Sequence, residues 1–178
     1  GIDVVDHHRR LFVDRGAGLG VRRRPGITEC EHVGVAHVLH RVLVDSPDIA
    51  VVAPLLDHPG RDLSVREAGL KPSLWRAFCH YYGLSRLFSG SHWFDGMYLL
   101  REDEFHSVDV DWVSGACMAV PRSVWVAANG LSERWFMYAE DVEFCLRQKK
   151  RGGRVVVTES SRGIHGLGRS SSNTDNRP

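Results

Sequence analysis

At 178 residues the chain is of single-domain length, and 43% hydrophobic with 25% charged residues is ordinary for a globular protein able to bury a core. A net charge of +1 gives no global field pointing to nucleic acid or an anionic surface, and no apolar run approaches the ~20 residues of a membrane-spanning helix. Four cysteines without a C-x-x-C, and no recognisable signal peptide, favour reduced thiols in a cytosolic protein. The chain begins at Gly1 and its first methionine is Met97, which reads as a fragment or a processed product.

In chain order, "IDVV" reads as a short strand, and "RGAGLGVRRRPG" as a Gly-, Arg- and Pro-rich loop. Apolar positions 35, 38, 39 and 42 have helical spacing, and Ser46-Pro47 stops that helix. Residues 48–56, "DIAVVAPLL", suit a buried strand of a parallel sheet. Leu74, Trp75, Phe78, Tyr81, Tyr82 and Leu84 form a helix-like stripe, and residues 89–107 read as irregular. Residues 109–113 and 117–120 look like strand pieces separated by "SGA". Pro121 opens a short helix that Asn129-Gly130 closes, because both accept positive φ.

The clearest helix begins near Glu140. Acids (Glu140, Asp141, Glu143) crowd its first turn, bases (Arg147, Lys149, Lys150, Arg151) its last, and Gly152-Gly153 ends it. A strand follows at residues 154–158, and the polar residues 169–178 read as a flexible tail. Helices alternating with short apolar strands make the chain α/β.

The adjacent acids Glu140 and Asp141 admit two readings. Carboxylates at a helix N-terminus stabilise it by ~0.3–1 kcal/mol each. A carboxylate held ionised there is also suited to accept a proton from an attacking hydroxyl. The aromatic run before it, "RWFMY", suits core packing or stacking on a sugar ring. Elsewhere, Cys30, His32, His37 and His40 lack the spacing of a usual zinc module, so surface histidines explain them better. "GAGLG" neither follows a clear strand nor opens a clear helix, which makes it poor evidence for a dinucleotide site. The arginine-rich N-terminus lacks the interleaved aromatics of a nucleic-acid module.

Residues 110–168, "VDWVSGACMAVPRSVWVAANGLSERWFMYAEDVEFCLRQKKRGGRVVVTESSRGIHGLG", resemble the C-terminal half of a family 2 glycosyltransferase of the rhamnosyltransferase-like branch. The shared pattern is an apolar strand, W-x-x-G-A, a short helix ending in Asn-Gly, an aromatic run into E-D-x-x-x-C-x-R, a basic turn with glycine, a strand, and a late His-x-Gly. Residues 42–64 and 72–78 resemble the family more weakly.

The resemblance implies a GT-A fold, a Rossmann-like α/β sandwich with a mixed sheet and flanking helices, here incomplete. It divides the chain into a degenerate segment 1–30, a partial GT-A domain 31–168 and the tail 169–178. The implied reaction transfers a sugar, rhamnose-like, from a nucleotide-diphosphate donor to a glycan or lipid-linked acceptor, with inversion. By position, Asp141 is the candidate base and Glu140 orients it or touches the acceptor. Gly115 and Ala116 line the cleft, Trp112 walls it, and Arg147 meets phosphate or pairs as an i,i+4 ion pair. His165 matches a late histidine that approaches the metal. The implied localisation is cytoplasmic, with peripheral association at the inner face of a membrane, although no lipid-binding stretch is visible.

A divalent metal, Mg or Mn, is expected from the family, but its D-x-D ligands are absent between Ile27 and Val42, where the resemblance would place them. "DVVDHH" and "DRGAGLGVRRRPGI" only faintly echo the family's donor-binding segments. The chain therefore reads as the acceptor half of a transferase whose donor half is missing. The alternative is the Arg22, Arg23 and Arg24 cluster serving as a diphosphate clamp. A non-catalytic module that binds glycan through Trp112 and the aromatics of residues 135–138 is the competing function.

Overall fold

The computed structural model describes residues 2–6, 9–13, 32–57, 65–88, 91–100, 107–134 and 139–164. His165, the aromatic run 135–138, Cys30, the glycine-rich loop and the Arg22, Arg23 and Arg24 cluster lie outside the described residues.

A six-stranded sheet forms the centre. Its strands are β1 (Ile2–Asp6), β2 (Arg9–Val13), β3 (Ile49–Asp57), β6 (Val108–Val110), β8 (Met118–Pro121) and β9 (Arg154–Ile164), in the order β2-β1-β8-β3-β9-β6. β3 and β9 run parallel, and the other pairings are antiparallel. A second, three-stranded sheet takes β4 (Val65–Gly69), β5 (Tyr98–Leu100) and β7 (Trp112–Val113), in the order β5-β4-β7. With its helices this is a mixed α/β arrangement compatible with a Rossmann-like fold.

The near-continuous apolar run of β3 follows from burial on both faces. Side chains alternate along a strand. Val51, Ala53 and Leu55 therefore join Met118, Val120, Val155 and Val157 under helix α5 (Glu140–Lys150). Val52, Ala119 and Val156 meet Leu39 and Leu43 of helix α1 (His32–Asp45) on the opposite face. Each such buried valine or leucine contributes roughly 1.5–3 kcal/mol of transfer free energy.

Residues 109–113 do not form one strand. β6 pairs with β9 in the large sheet, whereas β7 pairs with β4 in the small one. Asp111 sits between them, its N–H donating to Gly69 O at 2.8 Å. Its carboxylate accepts the Lys71 N–H at 2.6 Å and the Lys149 ammonium. The helical stripe of residues 74–84 is also divided: α2 (Leu74–Tyr81) and α3 (Leu84–Leu87) meet at Gly83, whose φ is 73°. The irregular stretch contains a 3-10 turn, His92–Phe94, and β5. α4 (Arg122–Ala128) ends as expected, with Asn129 at φ 57° and Gly130 at φ 69°.

Candidate functional site

The turn of residues 114–117 joins the small sheet to β8, and three consecutive N–H groups in it are each held. Ser114 N–H donates to Glu67 O at 2.8 Å. Gly115 N–H donates to Asp141 Oδ2 at 2.8 Å, and Ala116 N–H to Ser114 Oγ at 3.2 Å. The Asp141 bond connects the first turn of α5 to this small-residue turn. The other oxygen, Oδ1, accepts the Val142 N–H at 2.7 Å. Glu140 Oε2 accepts the Ala139 N–H at 2.9 Å. Both acids thus satisfy backbone donors at a helix start, where no cap side chain stands. A carboxylate offers about four lone-pair sites, so each Asp141 oxygen retains acceptor capacity, and Asp141 itself is half-buried.

Beside the turn lies a shallow open depression with a cavity volume of about 10 Å³, room for about one water molecule, lined by Ala53, Pro54, Leu55, Leu56, Glu67, Ala68, Ser114, Cys117 and Val157. It sits at the carboxyl end of β3, next to a parallel partner, the position where α/β sheets place ligands. Pro54 has no N–H for the ladder. The β3–β9 register shifts there, from Pro54↔Thr158 to Leu55↔Arg162. That irregularity leaves residues 159–161 of β9 out of the ladder, and pairing then resumes through Asp57↔Ile164.

The structure brings Asp141 and Gly115 into contact and sets Glu140 next to Asp141. None of Asp141, Glu140, Gly115, Ala116, Trp112 and Arg147 is among the residues that line the hollow. Trp112 is only 7% exposed. Its indole N–H donates to Leu70 O at 3.0 Å, its ring meets Tyr98 edge-on, and it lies over Gly69, where an added Cβ would come within 2.8 Å of the ring. A tryptophan so enclosed supports the small sheet and has no face left for a sugar. Arg147 is likewise engaged. Its terminal nitrogens donate to Ala128 O, to Gly130 O at 2.9 Å and to Glu143 at 3.1 Å, closing α4 onto α5. Of the two roles open for Arg147 in the sequence, the ion pair with Glu143 is the one formed. Gly115 and Ala116 flank the hollow through their neighbours Ser114 and Cys117, which line it.

Sequence reasoning missed Glu67, Ser114, Cys117 and the end of β3 as pocket residues. The parallel-strand reading of residues 48–56 was the signal that pointed to that strand's carboxyl end. The described cysteines are free thiols. Burial pushes the Cys145 thiol up to about 12, with the carboxylate of Asp141 adding to the shift. Cys117 is partly exposed. Among the described residues no group of three or more His, Cys, Asp or Glu side chains is placed to hold a metal ion.

Over 65 residues the chain is 35% identical to the rhamnosyltransferase WbbL of Escherichia coli, covering 36% of this chain and 25% of that protein. Over 56 residues it is 41% identical to an N-acetylglucosaminyl-diphospho-decaprenol L-rhamnosyltransferase of Mycobacterium tuberculosis, covering 32% of this chain and 18% of that protein. A low-salt glycan biosynthesis hexosyltransferase of Haloferax volcanii matches at 34% over 56 residues. Over this segment the chain is rhamnosyltransferase-like. The rhamnosyltransferase-like segment is about a third of the chain, and the chain spans a quarter or less of the length of these relatives. No family model matches the chain. No helix among the described residues is long and apolar enough to cross a membrane.

Proposed function

We propose that the chain serves inverting glycosyl transfer within a GT-A-type arrangement, with a sugar passing from a nucleotide-diphosphate donor to a hydroxyl of a glycan or lipid-linked acceptor. The observation that carries this reading is the Gly115 N–H to Asp141 Oδ2 bond of 2.8 Å. It fixes one carboxylate against a turn of small residues beside a shallow depression, in a chain that matches a rhamnosyltransferase over 65 residues. In the reaction, the acceptor oxygen attacks the anomeric carbon as Asp141 takes its proton, and the bond to the nucleotide diphosphate breaks on the opposite face. Fixing the carboxylate by two backbone donors orients a remaining lone pair, which is what a base must present.

The competing reading, a glycan-binding module without catalysis, loses one of its platforms because Trp112 is enclosed. Titration calorimetry on the full chain separates the two readings. The transfer reading expects heat on adding a nucleoside diphosphate as well as on adding an acceptor glycan. Binding of glycan with no response to nucleoside diphosphates or nucleotide-sugars would favour the module.

A further inference from the structure

Apart from Val44 and Val126, every large exposed apolar side chain among the described residues falls between residues 74 and 98. On α2, Leu74, Trp75, Phe78, Tyr81 and Tyr82 recur at helical spacing along one side. Such a stripe normally faces a core, yet Leu74 is 93% exposed and Tyr81 79%. The helix packs through its other residues. Cys79 is fully buried, and His80 lies against Gly96 and meets Tyr98. Leu87 at 74% and Trp93 at 81% extend the exposed side.

The rings are joined to one another, so the surface is preformed. Trp75 stacks on Phe78 with centroids 5.7 Å apart, and Phe78 meets Tyr82 at 4.5 Å. Phe94 contacts Trp75 at 6.2 Å and Phe88 at 4.7 Å. The Trp75 indole N–H donates to Trp93 O at 2.8 Å, fastening α2 to the 3-10 turn. Side chains already held in place lose little entropy on association. The charge of the span is balanced: residues 70–106 carry Lys71, Arg76, Arg86 and Arg101 against Asp95, Glu102, Asp103 and Glu104. A span of that kind offers no net field to an anionic polymer or lipid surface, and none that repels its own copy. Exposed Trp and Tyr are the side chains enriched at the centre of protein–protein contacts. The stripe with Leu87 and Trp93 offers about 1,000 Å² of apolar surface per copy, against the roughly 800 Å² that each partner gives to a standard-sized interface.

We propose that this face pairs with the same face of a second copy of the chain, in a two-fold symmetric dimer. In such a contact one patch serves both sides, so a surface that is apolar, rigid and balanced in charge is its own complement. The inference goes beyond glycosyl transfer and does not depend on Asp141. None of the stripe residues lines the depression beside residues 114–117, so pairing leaves the residues of that site in place.

Sedimentation velocity of the full chain, from about 1 to 100 µM, tests this. The wild-type chain is expected to shift from monomer towards twice its mass as concentration rises. Leu74→Glu/Trp93→Glu places carboxylates from both copies in the contact and is expected to raise the dimer Kd at least about a hundredfold. Tyr81→Arg, a single change at an exposed position, should raise it at least about tenfold. Val126→Glu, at a 66% exposed apolar position on α4, should dimerise as wild type does. Circular dichroism checks that each variant is folded. Three results would overturn the proposal: a wild-type chain that stays monomeric throughout, a dimer that the folded stripe variants leave intact, or a monomer that binds lipid vesicles or acceptor glycan and loses that binding in Leu74→Glu/Trp93→Glu.

Discussion

Arg147 shows how one side chain can look like a ligand group in sequence and be a structural brace in space. Its guanidinium collects the Ala128 and Gly130 carbonyls at the end of α4 and the Glu143 carboxylate, and lies over the Phe144 ring, 5.5 Å from its centroid. The i,i+4 partner Glu143 was legible because helical spacing is local. The two carbonyls were not, since they depend on α4 folding back against α5. Arg147→Met should lower the unfolding free energy in urea by about 1–3 kcal/mol, because it strands helix-terminal carbonyls. Binding of a nucleoside diphosphate by calorimetry should stay unchanged. A selective loss of that binding, with stability intact, would restore the phosphate role.

At the scale of elements, the end of α5 sets the start of β9. Gly152 turns the chain at φ 88°, and a Cβ on Gly153 would stand 2.5 Å from the Ala50 Cβ. Gly153→Ala should therefore destabilise the fold by about 1–3 kcal/mol through overpacking. Ala50→Gly in the same chain should recover part of the loss, and urea midpoints check both. The sequence signalled the helix stop through Gly152-Gly153, as it signalled α4 through Pro121 and Asn129-Gly130, because caps and turns are local chemistry. It failed at residues 109–113. The only mark of the jump between sheets is Asp111, whose partners Lys71 and Lys149 are remote in the chain. The stripe of residues 74–84 was legible as helical and forms α2 and α3. Periodicity shows that one face is apolar, and says nothing about whether another element covers it.

Across the whole molecule, a small set of acids joins distant parts. Arg154 at the start of β9 pairs with Asp48 before β3 at 2.7 Å and with Asp109 of β6 at 2.7 Å. Its hydrogen bonds hold both carboxyls below their usual range. Burial pushes the Asp111 carboxyl up, but Lys149 and the Lys71 N–H outweigh it, so it too is lowered. A carboxyl whose pKa falls on folding binds protons more readily when unfolded. The stability it contributes is present above the unfolded value of about 3.9 and is lost as pH falls through the folded value. Urea midpoints should therefore drop on acidification below about pH 4. Arg154→Met should flatten that drop by releasing Asp48 and Asp109, and an unchanged acid profile in the variant would contradict the assignment.

The alternation of β3 and β9 and the helices on both faces were legible as an α/β pattern, because burial on two sides writes itself into apolar runs. The hollow was not, since it arises where strand ends, a proline irregularity and a turn meet in space. Asp141 was singled out in sequence by its place in a helix start, and its contact with Gly115 needed coordinates. The central claim is that this carboxylate does more than hold the turn. Turnover of nucleotide-sugar onto an acceptor, measured per folded molecule for the wild-type chain and for Asp141→Asn, tests it most directly. Asp141→Asn is expected to be slower by about a hundredfold or more, whereas an unchanged rate in the folded variant would reduce Asp141 to a brace between α5 and the turn of residues 114–117.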